Sequence, residues 1–220
     1  MRTCHPLAAA ARMALALLLA ASASMSAAAA PVGTAAAAAS SALAPTTAFA
    51  FGNADYIHRW SKDGQNEFTP VADPDVHAWH DMVTVIVYDN VHDGEQLAAV
   101  ANRVLANWGK GGRIVRTNAI PAAAGQPAQH FMAAVLVGPH DMEVTFGRFR
   151  MAGDTGEGLL YAHRFPAPPG GTPEDQRREM ARAAVDWLHA NGADTEALLM
   201  AWEGAPPVAA LRALPQSLAN

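Results

Sequence analysis

The sequence predicts an α+β domain: an antiparallel-rich sheet of about six to seven strands packed against two main helices, in an α/β/α sandwich-like arrangement. Three observations carry that expectation. Met82-Val-Thr-Val-Ile-Val-Tyr88 is apolar on both faces and rich in β-branched residues, as a central strand requires. Leu97, Val100, Ala101, Val104, Leu105 and Trp108 recur at helical spacing and form one apolar stripe. The chain from Arg113 to Phe165 then breaks into short strand-like runs joined by short turns, which implies an antiparallel meander.

The elements follow in order. Tyr56–Trp60 and Gln65–Thr69 flank Lys62-Asp63-Gly64, and Asp-Gly between two alternating runs predicts a hairpin. Asp73-Pro74 has the form of an N-cap followed by a first-turn proline, so a single short turn is expected over Pro74–His80. Asp93 and Gln96 make a capping-box pattern before the first helix, and Gly109, Gly111 and Gly112 end it. Strands are expected at Arg113–Ile120, Gln129–Val137, Asp141–Met151 and, after the Gly153–Gly156 turn, Leu159–Phe165. Thr172-Pro-Glu-Asp175 opens a second helix, with Met180, Ala183, Ala184, Trp187 and Leu188 as its buried stripe. Asn191-Gly192 is expected to stop that helix. A last short helix capped by Asp194 would turn Leu198, Leu199 and Trp202 inward.

The ends of the chain read differently. Residues 1–30 have the pattern of a cleaved export signal: Arg2 and Arg12, then the short apolar run Met13–Ala20, then small residues. That run is too short to span a bilayer, so no transmembrane segment is expected in the mature form. Residues 31–53 read as an Ala-rich disordered linker, 54–203 as a single domain, and 204–220 as a flexible tail. The expected location is periplasmic or secreted.

Composition excludes several chemistries. The single cysteine, Cys4, lies in the signal, so the mature domain is cysteine-free and has no disulfide, thiol nucleophile or cysteine–metal site. The chain holds 15 basic and 20 acidic residues; without Arg2 and Arg12 the balance is 13 against 20, or −7. That balance argues against a nucleic-acid partner. Between Ala54 and Glu203 the only serine is Ser61, in an expected hairpin turn and outside any nucleophile elbow. Gly109–Gly112 follows a helix rather than opening one, which is the wrong order for a phosphate cradle.

Histidine offers the one patterned candidate. His77, His80 and Asp81 have i, i+3, i+4 spacing, which on a helix places two imidazoles and a carboxylate on one face, with His58 as a further ligand for zinc or copper. If the segment is extended, the imidazoles diverge, and the alternative holds: Trp79 packs inward while His77 and His80 stay on the surface. His163 and His130 lie on expected strand faces, where core or rim packing is the simpler role. Arg177, Arg178 and Arg182 with Arg148 and Arg150 form either a partner patch or a solvated face. Trp60 and Trp79 are the tryptophans left over as ligand-facing rings.

Glu67–Pro70, Trp79–Tyr88 and the Asp93–Trp108 helix together resemble a group of small exported proteobacterial proteins without an assigned activity, and no functional residue carries over from them. In element order alone the chain is similar to the PsbP-like family, extrinsic subunits of photosystem II, and to Ran-binding proteins with the same α/β/α sandwich. That resemblance implies a binding or assembly module. The expected function is therefore a non-catalytic exported domain that binds a partner protein or small ligand, the alternative being a metal-dependent protein built on His77, His80 and Asp81.

Overall fold

The structure, a computed structural model, describes residues 48–217. The expected signal and residues 31–47 of the expected linker lie outside the described residues. The described chain is α+β, with eight strands and three helices. The strands are β1 (Ala48–Phe51), β2 (Ala54–Lys62), β3 (Gln65–Pro70), β4 (Asp81–Tyr88), β5 (Gly112–Ile120), β6 (Gln129–Val137), β7 (Asp141–Ala152) and β8 (Thr155–Pro166). The helices are α1 (Gly94–Gly111), α2 (Pro173–Ala201) and α3 (Val208–Arg212).

One open sheet has the order β1-β2-β3-β4-β8-β7-β6-β5, with every pairing antiparallel. It is two four-stranded meanders joined at a seam. The first runs β1 to β4. Helix α1 then carries the chain to the far edge, and β5 to β8 return to the centre. There β8 pairs with β4 from Asp81↔His163 to Tyr88↔Gly156. The sheet exceeds the expected six to seven strands because β1 falls in the segment read as linker. Its four residues offer too little periodicity for a strand signal. The strand forms because Phe49 and Phe51 pack with Tyr56, Phe68 and Trp202.

The Asp63-Gly64 turn has φ of 50° and 81°, the left-handed pair that a two-residue hairpin needs. A side chain at Gly64 would also meet the Val87 carbonyl oxygen at 2.6 Å. Before α1, Asp93 accepts the Gln96 N–H at 2.8 Å, as the capping pattern predicts. Gln96 Oε1 instead accepts the N–H of His92, one residue earlier than a capping box would place it. Leu97, Val100, Ala101, Val104 and Trp108 bury against Ile86, Met132, Phe149 and Leu160, while Leu105 is half-buried.

Helix α2 covers the opposite face, where Ala184, Leu199 and the following Trp202 join an aromatic core of Phe51, Tyr56, Phe68, Phe131 and Phe146. Asn191-Gly192 does not stop this helix; it runs 29 residues without a break. A glycine in a helix interior costs about 1 kcal/mol, a preference that packing readily overrides. Met180 and Ala184 before Gly192 and Leu199 after it are buried on the same helix, so ending it there would strip one side. Gly192 itself is buried, and a Cβ there would meet Leu188 at 3.0 Å. Ala183, expected on the stripe, is exposed. Among the described residues no helix is long and apolar enough to cross a membrane.

The C-terminal end of α2 is fastened by Arg148. This residue was a candidate for a surface patch, yet it is only 3% exposed. Its guanidinium donates to the Leu199 and Trp202 carbonyls and to Glu203 at 2.8–3.3 Å. A buried cation thus satisfies orphan carbonyls at the negative end of the helix. Arg150 pairs with the buried Glu157 and with Glu203. Of the remaining candidates for that patch, Arg178 pairs with Glu174 and Asp175 on its own helix. The chain after Gly204, expected as a tail, carries α3 and buries Leu211 and Leu214 in the α2-side core.

Candidate functional site

The four candidate metal ligands are divided among different places. Residues 73–80 form no helix; a single turn is closed by Ala78 N–H to the Asp75 carbonyl. His77 and His80 are exposed beside the buried Trp79. The His77 carbonyl accepts from Arg164, whose guanidinium lies over the Trp79 ring at 5.7 Å. His80 Nδ1 is 3.5 Å from Asp73. His58 lies on β2, where its Nε2 is 2.7 Å from Ser61 Oγ. Among the described residues no group of three histidines, cysteines or acids is placed to hold a metal ion.

Asp81 belongs to a cluster at the seam. Because it is the direct cross-strand partner of His163, its carboxylate lies beside that imidazole. Asp81 Oδ1 accepts from His163 Nδ1 at 2.7 Å and from the Tyr161 hydroxyl at 2.6 Å. Burial pushes the Asp81 carboxyl up, but the bonds from His163 and Tyr161, with the positive field of His163 and His80, outweigh it and hold the pKa below 3.8. A carboxylate on Nδ1 is the arrangement that orients an imidazole for base catalysis. Here the ring is taken up in packing. Trp187 of α2 stacks on it at 4.6 Å and 9°, and Phe165 meets it edge-on at 4.9 Å. The cluster fastens α2 and β8 to β4.

Ser61, expected to be a solvated turn residue, is fully buried. It donates to Asn66 Oδ1 at 2.7 Å, so its oxygen accepts from His58 Nε2–H. Burial holds the His58 pKa low against an opposing backbone bond at Trp60. The Ser61 backbone also meets Ser217: Ser217 N–H donates to the Ser61 carbonyl at 2.7 Å, and Ser61 N–H donates to Ser217 Oγ at 3.2 Å. A groove of about 650 Å³ lies elsewhere, between the Asp63-Gly64 turn and α1, lined by Tyr88, Asp89, Gln96 and Arg103. The Tyr88 hydroxyl is buried with no hydrogen-bond partner among the described residues.

The remaining candidate is the sheet edge. On the first edge, β1 pairs with Ala54–Ile57 of β2, and Ser217 bonds to β2 at Ser61, farther along. On the opposite edge, among the described residues, β5 pairs only with β6 and is exposed from Val115 to Ile120. Val115 and Ile120 are 37% and 42% exposed there. The signal that could have drawn attention to it was present: Arg113–Ile120 reads as half polar, with two arginines. No family model matches the chain, and no curated protein matches it in a sequence search.

Proposed function

We propose that this chain is an exported, non-catalytic binding domain that engages a partner protein through the edge strand β5. The observation that carries the reading is the unequal treatment of the two edges. Unpaired strand edges invite association, and proteins ordinarily blunt them. Here one edge is reduced to the four-residue β1, with the C-terminal segment bonded to β2 beyond it, whereas the other presents nine residues of strand. The use of Asp81 and His163 in packing supports a non-catalytic role.

The test is a photoreactive residue placed at Thr117 on β5, compared with one at Arg178 on the exposed side of α2, in cells that make the protein. The expected outcome is a discrete adduct from Thr117 alone. Equal labelling from both positions, or none from either, removes the reading. A second reading, small-ligand binding in the groove beside α1, is favoured by the unpartnered Tyr88 hydroxyl. Burial pushes that phenol well up despite the nearby Arg103, so it remains a donor at physiological pH. Tyr88→Phe should then abolish ligand-induced shifts of the α1 amides.

A further inference from the structure

We infer that the partner presents an extended strand carrying two carboxylates on one face, at alternate positions, and that Arg113 and Arg116 of β5 receive them. This rests on the proposal that β5 is the binding edge and adds the chemistry of what binds. The first observation is charge segregation. No acidic residue occurs between Glu95 and Asp141, while Arg103, Lys110, Arg113 and Arg116 all lie in that interval of a chain with net charge −5. The basic interval contains both β5 and β6, at one end of the sheet.

The second observation is geometric. Residues three apart on a regular strand point to opposite faces. The register of β5 shifts between Ile114 and Arg116, so Val115 is an extra residue there. Arg113 therefore pairs with Val135 and Arg116 with Ala133, two positions apart on β6. The bulge brings both guanidinium groups to the face that α2 covers. Asn118 and Ile120 follow on that face, opposite Phe131 and Gln129.

The third observation is an internal example of the recognition. Glu196 of α2 reaches Arg116 at 3.0 Å, so a carboxylate already sits at one of the two positions. Arg113 makes no ion pair among the described residues, and a partner carboxylate opposite it would complete the set. Arginine suits this task because its planar fork meets a carboxylate with two parallel bonds.

The occupant is not a second copy of β5, which would set arginines against arginines. It is not a polyanion or an anionic membrane: neither supplies the backbone groups that an edge strand pairs with, and the acidic remainder of the chain repels both. β-Augmentation by an acidic segment uses ladder bonds for affinity and the two arginines for register. All pairings in this sheet are antiparallel, so the partner would read apolar at one position, then carboxylates four and six positions later.

The experiment uses the full chain and fluorescein-labelled heptapeptides. One, Val-Thr-Ser-Thr-Glu-Thr-Glu, places its two carboxylates on one face. A second of the same composition, Val-Thr-Ser-Thr-Thr-Glu-Glu, places them on opposite faces. The expected result is binding of the first on the order of tenfold tighter than the second. That preference should be lost in Arg113→Glu, reduced but not lost in Arg113→Lys, which keeps the charge without the planar fork, and removed by N-methylating alternate peptide amides. The β5 amides should exchange more slowly in the complex. Equal binding of the two peptides, equal binding to phosphatidylglycerol vesicles, or indifference to N-methylation overturns the inference. Absence of peptide binding alongside a discrete Thr117 adduct overturns the acidic partner and leaves the binding edge standing. Absence of both removes the two together.

Discussion

The two four-stranded meanders end in opposite ways, although they share one sheet and one pairing rule. The first ends in a short edge: the four-residue β1 covers half of β2, Ser217 bonds farther along it, and Leu211 and Leu214 seal the core behind them. Its interior strands also hold the buried polar residues Ser61, Gln65, Asn66, Glu67, Thr69 and Thr84. The second meander buries Phe131, Phe146 and Phe149 together with the polar Thr145, Arg148, Thr155 and Glu157, and differs in its outer strand, which is polar, basic and exposed. Closing an edge takes chain and hydrogen bonds, so the contrast separates a half built for internal stability from a half with surface to offer. The seam of Asp81, Tyr161 and His163 joins them.

Breaking the closed half should have the largest effect. Leu211 is 1% exposed, and Leu211→Ala should cost about 2–4 kcal/mol in urea denaturation. Hydrogen exchange at the Ser61 amide should rise with it, because α3 leads directly to Ser217. If Leu211→Ala leaves both stability and the Ser61 amide unchanged, the C-terminal segment does not close that edge.

The seam comes next. Asp81→Asn removes a charged acceptor from Tyr161 and His163, at a cost of about 1–3 kcal/mol at pH 7. Asp81 has a folded pKa below 3.8, so the unfolded chain binds more protons as pH falls through that range. Its contribution is present above about pH 4 and is lost on acidification through the folded pKa. The acid limb of the wild-type stability curve should therefore flatten in Asp81→Asn. Glu143 has the opposite sign. Burial, then the neighbouring Asp141, push it up from 4.5 to about 7, against Arg164. Between those values the folded state binds the extra proton, so stability falls as pH rises. Glu143→Gln should remove that slope, read from urea midpoints across the same window.

Much of this contrast was legible in the sequence, and the rest was hidden for identifiable reasons. Helix α1 carries strong periodicity and strand β4 an unbroken β-branched apolar run, so their type and their burial followed from the residues. β1 was missed because four residues cannot show a period, and Phe49 and Phe51 gain their meaning only from Trp202, far along the chain. Gly192 read as a stop because local preference favours one, whereas packing on both sides of it decides otherwise. The site was less accessible still. His77, His80 and Asp81 have suggestive spacing, but spacing implies a shared face only on a helix, and this segment is a turn running into a strand. The partner of Asp81, His163, lies 82 positions away, across a pairing that no local pattern announces.

A smaller effect is expected at Ser61, where alanine leaves Asn66 Oδ1 and His58 without their shared hydroxyl. The cost should be about 1–2 kcal/mol by chemical denaturation. Because His58 is held low by burial, the variant should also bring its imidazole titration, followed by NMR, back toward 6.5 as the site opens to water. An unchanged titration would mean that the hydroxyl is not what keeps water from His58.

The smallest changes in stability belong to the open edge. Arg116→Ala removes the exposed partner of the largely buried Glu196 carboxylate, at a cost of about 1 kcal/mol. Arg113→Ala removes an exposed side chain with no ion pair among the described residues, and stability should stay within about 0.5 kcal/mol. The order should reverse in binding. Glu196 already competes for Arg116, so part of what a partner carboxylate gains there is lost in displacing it. Arg113 requires no such displacement, and Arg113→Ala should weaken the two-carboxylate peptide more than Arg116→Ala does. In Glu196→Gln the competitor is gone, and the two alanine variants should become equal. Equal losses in the wild-type background would mean that Glu196 does not occupy the edge in solution. The contrast between the halves would then rest on backbone exposure alone.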